Sequence, residues 1–210
     1  MIRILVADDH SVVREGIKQI VADSPGIEVA GEAATGQEAL ELVRSKPFDV
    51  VILDIAMPGR GGLDILRELK AENPALKVLV LSMYPEEQYA IRSFRDGASA
   101  YLTKGSPPEE LIQAIQTVAA GKRHITPSIA DRLASYVENN SQRPLHETLS
   151  DREMQVLVLI GSGKQVTEIA QELNVSIKTV STYRSRILLK MGMETSAQLI
   201  RYALQYNLVE

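Results

Sequence analysis

The run Val50-Val51-Ile52-Leu53, followed at once by Asp54, constrains this chain more than any other feature. A strand with one wet face alternates apolar and polar residues, so an unbroken apolar strand must be covered on both faces. Other short β-rich runs lie at 3–6, 28–31, 77–81 and 100–102. Between them, residues 12–22, 36–43, 63–72, 86–96 and 107–120 carry the amphipathic period of helices. Five such strand–helix units predict an α/β, doubly wound, five-stranded parallel sheet, with ligands binding beyond the carboxyl ends of the strands.

The pattern changes after residue 121. Pro127 opens a helical stretch at 128–137, and the polar, helix-breaking residues 138–144 form the best linker. From Leu149 onward everything reads as helix. Ser150-Asp151-Arg152-Glu153 is a capping box opening a run through Ile160, and 167–173, 177–191 and 196–205 supply three more helices. Asn174 suits a left-handed turn and Ser176 a helix cap. The expected organisation is residues 1–121 as the α/β domain, 122–147 as a linker containing a helix, and 148–210 as a small all-α domain.

The chain has no cysteine, which excludes a disulfide framework and zinc–thiolate chemistry. No apolar run is long enough to span a bilayer. The N-terminus runs straight into Asp8-Asp9 without a signal peptide's apolar segment. The expectation is a soluble, cytoplasmic protein with no membrane partner. Net charge is −4, yet residues 176–190 hold four cations and no acid. Such a basic stripe attracts a phosphate backbone, although a cationic helix face is more often plain solvated surface.

On the expected sheet, Asp8 and Asp9 follow the first strand, Asp54 the third, Ser82 the fourth and Lys104 the fifth. In the order 2-1-3-4-5 the first and third strands are neighbours, so three carboxylates converge at the switch point. Their repulsion calls for a cation, and few hard oxygen ligands with room for water suit Mg²⁺. The same set can transfer a phosphoryl group. An aspartate there can act as nucleophile, the metal and Lys104 would neutralise charge on the phosphoryl oxygens, and the Ser82 hydroxyl could bond another of them. Taken singly, Asp8-Asp9 could simply cap a helix, Lys104 be a surface charge and Ser82 a turn former. Five coincidences on one sheet edge are far less common than one site.

In the all-α half, residues 163–176 read as a helix and tight turn before a second helix at 177–191. At about 100° per residue, Val180, Ile187, Leu188 and Met191 share one face, and Lys178, Ser181, Thr182, Ser185 and Arg186 point the other way. Leu189 also points outward, and Arg184 falls within the apolar arc.

Two resemblances follow from these residues. Asp8-Asp9, Asp54 with Met57-Pro58 and Gly62, Ser82, and Tyr101-Leu102-Thr103-Lys104 resemble the receiver domain of response regulators. That resemblance implies that Asp54 accepts phosphate from a sensor histidine kinase. It also implies that Asp8, Asp9, Asp54 and the Ala56 carbonyl hold Mg²⁺, Asp8 through water, and that Ser82 and Tyr101 form a switch pair. Leu149–Glu153, Glu168-Ile169-Ala170, 178–184 and Lys190-Met191-Gly192 resemble the LuxR-type helix-turn-helix. Together the two halves resemble the NarL/FixJ class, regulators of transcription rather than enzymes acting on a separate substrate. Phosphorylation of Asp54 would then promote a homodimer and binding to a double-stranded operator. Lys178, Arg184, Arg186 and Lys190 would meet phosphates, Ser181, Thr182 and Ser185 would face bases, and Thr179 would lie in the same interface. Two positions depart from these families, Gly105 where proline is common and Val166-Thr167 where Asn-Lys is common.

Two other classes compete. A haloacid-dehalogenase-like phosphatase also uses an Asp nucleophile with Mg²⁺, but carries a second Asp two residues later, where this chain has Ala56. A signalling adaptor would keep the first half and lack the basic stripe.

Overall fold

The apolar runs form five parallel strands, β1 (Ile2–Ala7), β2 (Ile27–Ala33), β3 (Val50–Leu53), β4 (Lys77–Ser82) and β5 (Ala100–Thr103), in the order β2-β1-β3-β4-β5. Helices α1 (Ser11–Ala22), α2 (Gly36–Ser45), α3 (Gly62–Glu72), α4 (Glu86–Arg95) and α5 (Pro108–Ala119) connect and follow them. This is a computed structural model describing residues 1–57, 61–84, 86–138 and 144–209. All four residues of β3 are buried, as an apolar strand between two layers requires. Ile17 and Val21 of α1 and Leu111, Ile115 and Val118 of α5 pack with Ile4, Val6, Ile52 and Leu79 in one core. Most strands run one or two residues beyond the sequence expectation.

Register explains why the polar residues meet. Ala7 pairs with Leu53, and the Asp54 amide donates to the Ala7 carbonyl at 2.9 Å. Asp8 and Asp54 therefore leave neighbouring strands at the same level. Ser82 pairs with Thr103, which sets Lys104 one step beyond the β4 end.

The chain divides into two units, Met1–Ala134 and Ser135–Glu210. The interval 122–147, expected as linker, makes defined contacts in its described residues. His124 forms a single bridge with Ala100 along β5. Thr126 Oγ1 donates to Glu86 Oε2 at 2.9 Å and accepts the Ile129 amide in the first turn of α6 (Pro127–Glu138). A 3₁₀ turn at Leu145–Thr148 was not foreseen. Its His146 bonds the Tyr202 hydroxyl through the backbone amide at 3.3 Å and through Nδ1 at 3.0 Å, so it belongs with the second unit. Most of the polar stretch 138–144, namely 139–143, lies outside the described residues, as does Pro58.

The second unit contains α7 (Asp151–Gly161), α8 (Val166–Glu172), α9 (Ile177–Met191) and α10 (Ser196–Gln205). The Ser150–Glu153 capping box opens α7, and Asn174 takes φ 50° in the turn before α9. Ser176 Oγ accepts the Thr179 amide, and Gly192 at φ 64° ends α9. Val180, Ile187 and Met191 are buried. Among the described residues no helix is long and apolar enough to cross a membrane.

Candidate functional site

Asp54 and Asp8 are joined by Lys104, whose Nζ lies 2.7 Å from an oxygen of each. Asp54 is 1% exposed and Asp8 2%. The other Asp54 oxygen accepts the Ala56 amide at 2.8 Å, which fixes the carboxylate's rotation. Burial pushes the Asp54 carboxyl above its ordinary value, with Lys104 and the Ala56 amide opposing. Burial works against the Lys104 ammonium too, but Asp54 and Asp8 outweigh it and raise its pKa. The lysine therefore stays charged at neutral pH.

Asp9 completes the acidic set differently. Its Oδ1 is out of solvent and has no hydrogen-bond partner. A buried carboxylate oxygen left this way is costly unless a cation takes it up. Three carboxylates at one sheet end, one with a buried oxygen that makes no hydrogen bond, match the hard-oxygen preference of Mg²⁺.

Gly62 shapes the loop beside Asp54. A Cβ there would stand 2.2 Å from the Ile55 Cα and 2.6 Å from the Asp54 carbonyl oxygen, both backbone atoms. Only glycine lets α3 start this close to the acidic loop. Sequence reasoning missed two further neighbours. Arg14 Nη1 donates to the Asp8 carbonyl at 2.7 Å while its Nε pairs with Glu32, tying the acidic loop to α1 and β2. His10 Nδ1 lies 3.2 Å from Asp8 Oδ1 and 3.1 Å from Asp9 Oδ1. His10 could have been noticed as the residue directly after the acidic pair.

Ser82 is fully buried at the end of β4, and its Oγ accepts the Tyr84 amide at 3.1 Å. Tyr101 is also fully buried, its hydroxyl donating to the Tyr84 carbonyl at 2.8 Å. Burial pushes the Tyr101 phenol up, with a hydrogen bond to Ser82 opposing. Both members of the expected switch pair thus lie inside, with the Tyr101 ring buried.

On α9, Lys178 and Arg186 are exposed, Thr179 and Ser181 half-buried. Thr182 Oγ1 donates to the Lys178 carbonyl at 2.9 Å and Ser185 Oγ to the Ser181 carbonyl at 3.0 Å. In that arrangement their lone pairs are what remains for a partner. Arg184 is half-buried, with a buried Nε that has no hydrogen-bond partner. Lys190 departs from its expected place among phosphate contacts. Its Nζ lies 2.6 Å from Glu153 of α7, because the last turn of α9 faces that helix. Leu189 is 83% exposed, as the helical period required.

Residues 4–116 match the family described as response regulator receiver domain, and residues 147–203 match bacterial regulatory proteins, luxR family. Response regulator GacA of Pseudomonas aeruginosa is 40% identical over 212 residues, covering 100% of this chain and 99% of the relative. Response regulator UvrY of Escherichia coli K12 is 37% identical over 209 residues, covering 99% and 96%. A solved structure of RcsB from Salmonella enterica serovar Typhimurium, bound to promoter rprA in the presence of the phosphomimetic BeF3-, is 26% identical. It superposes with a TM-score of 0.64 over 96% of this chain and 98% of that one.

Proposed function

Because the chain belongs to the response regulators that join a receiver domain to a LuxR-type DNA-binding domain, the NarL/FixJ class of two-component transcriptional regulators, we propose that Asp54 takes a phosphoryl group from a sensor histidine kinase and thereby governs operator binding. The observation that carries this reading is Lys104, held 2.7 Å from both Asp8 and Asp54 in a buried acidic pocket. A carboxylate fixed by an ammonium and a backbone amide is a preorganised nucleophile. As an Asp54 oxygen bonds to phosphorus, the bond from phosphorus to the kinase's histidine nitrogen breaks. Lys104 then balances charge on the phosphoryl oxygens, and Ser82 offers its hydroxyl to one of them. Asp8, Asp9, Asp54 and the Ala56 carbonyl would hold Mg²⁺, which when bound supplies further positive charge to those oxygens. Beyond accepting and losing this phosphoryl group, the protein performs no chemistry on a separate substrate.

Residues 1–121 serve as the receiver and 148–210 as the DNA-binding part. Within the latter, Lys178, Arg184 and Arg186 meet phosphates, Ser181, Thr182 and Ser185 face base edges, and Thr179 braces the start of α9. Lys190 is assigned to Glu153 instead. The RcsB relative solved on a promoter with a phosphomimetic supports the link between the phosphorylated state and DNA. Leu204 and Tyr206, 50% and 42% exposed at the end of α10, offer apolar surface to a second copy. The reading places the protein in the cytoplasm.

The test is labelling with a small phosphodonor and Mg²⁺. Wild type should take one phosphate and shift a promoter fragment more strongly afterwards, while Asp54→Asn should do neither. Stable labelling of Asp54→Asn at another residue overturns the assignment.

A further inference from the structure

We propose that His10 turns the acidic pocket into a four-ligand site for a borderline transition-metal ion such as Zn²⁺, which competes with Mg²⁺ and blocks phosphoryl acceptance. This rests on the reading of the pocket as a cation site. Ligand atoms of Asp8, Asp9, His10 and Asp54 all lie within 4.8 Å of one another. Among the described residues no other group of three or more His, Asp or Glu converges this way.

The position of His10 is not explained by helix capping. It stands at the N-cap of α1, but its side chain makes no capping hydrogen bond. The ring turns instead toward the two carboxylates, with Nδ1 at 3.2 Å from Asp8 Oδ1 and 3.1 Å from Asp9 Oδ1. Around a tetrahedral ion with ligands at about 2.0–2.1 Å, neighbouring ligand atoms lie roughly 3.3 Å apart. Both distances already have that spacing. Asp9 Oδ1 is buried and its 3.1 Å approach to His10 Nδ1 makes no hydrogen bond, so an ion held between the two would satisfy it. The imidazole side chain is 62% exposed, which leaves a path for an ion from solvent.

The chemistry separates the two ions. Mg²⁺ prefers oxygen, keeps several waters and gains little from an imidazole. Zn²⁺ takes nitrogen and carboxylate oxygen readily in a four-coordinate shell. A shell of Asp8, Asp9, His10 and Asp54 has no open position for a phosphoryl oxygen and ties up the nucleophile itself.

Metal-free full-length protein is titrated calorimetrically with Zn²⁺ and, separately, with Mg²⁺. His10→Ala should weaken Zn²⁺ by at least about tenfold and change Mg²⁺ by no more than about twofold. Saturating Zn²⁺ should suppress acetyl phosphate labelling of wild type in excess Mg²⁺, and His10→Ala should be labelled under the same conditions. His124→Ala serves as the control for binding elsewhere and should change neither affinity. Unchanged Zn²⁺ affinity in His10→Ala overturns the proposal, and so does an equal loss of both ions, which marks a structural histidine. Asp9→Asn is measured alongside. If it binds Mg²⁺ like wild type, the cation-site reading itself fails, whatever His10 does.

Discussion

Nζ of Lys190 lies 2.6 Å from Oε2 of Glu153, a carboxylate whose side chain is only 3% exposed. The same oxygen accepts the Ser150 amide at 2.7 Å, so one carboxylate both caps α7 and holds the end of α9. Lys190→Ala should therefore act on stability. Breaking a buried pair costs about 3–5 kcal/mol, and with Lys190 41% exposed a loss of about 1–2 kcal/mol is expected. Burial disfavours the Glu153 charge, but Lys190 and Ser150 prevail and hold its pKa below the ordinary carboxylate value. A depressed folded pKa contributes stability above the unfolded value and loses it as pH falls through the folded one. Urea midpoints measured from neutral pH into the acid range should fall less steeply in Lys190→Ala than in wild type.

Gly62→Ala should disable the acidic pocket without touching any of its side chains. The added methyl meets backbone at Asp54 and Ile55, which cannot swing aside as a side chain would. Overpacking of this kind costs about 1–3 kcal/mol. Denaturant melts should show that loss, and labelling should slow because Asp54 is displaced from Lys104. Labelling at the wild-type rate would mean that the loop moves freely.

Lys178 and Thr182 should separate affinity from selectivity. Lys178→Ala should weaken binding to all sequences about equally and lower the salt slope by about one unit. Thr182→Ala should instead change the preference between operator variants. Lys190→Ala at a temperature where it remains folded should leave the salt slope alone, since its charge is already paired. Salt titrations of full-length protein on two or more operators read all three.

Tyr101→Phe removes only the hydroxyl that donates to Tyr84, a bond worth about 0.5–1.5 kcal/mol. Tyr101→Ala empties a fully buried site and should cost about 3–5 kcal/mol. Allosteric couplings usually amount to about 5- to 150-fold, and the gain in operator affinity on adding BeF3- should fall in that range for wild type. Tyr101→Phe should keep part of the gain and Tyr101→Ala almost none. An undiminished gain in Tyr101→Ala would remove the tyrosine from the switch.

What could be read in the sequence was whatever is periodic or adjacent in the chain. Val50–Leu53 announced a doubly covered sheet, Ser150 and Glu153 a capped helix, and Asn174 a left-handed turn, because each signal is complete within a few residues. The convergence of Asp8, Asp54 and Lys104 needed only strand order. Contacts set by tertiary packing stayed hidden. Nothing near Lys190 reveals that the end of α9 faces Glu153, and nothing near Arg14 reveals the Asp8 carbonyl. The 3₁₀ turn at Leu145–Thr148 has no periodicity of its own and depends on Tyr202, far along the chain. Tyr101 was legible as a residue but not in its orientation, which depends on the carbonyl of Tyr84.

Thr126 has one hydroxyl and two obligations, donating to Glu86 at the start of α4 and accepting from Ile129 in the first turn of α6. That makes it a hinge pin between two levers. Glu86 follows closely on Tyr84, whose carbonyl is the anchor of Tyr101. A rearrangement that shifts this end of α4 must either drag the root of α6 along or pull the pin. The helix that leads out of the first unit is thus geared to the ground beside the tyrosine, and its starting direction cannot be set independently of that residue's place.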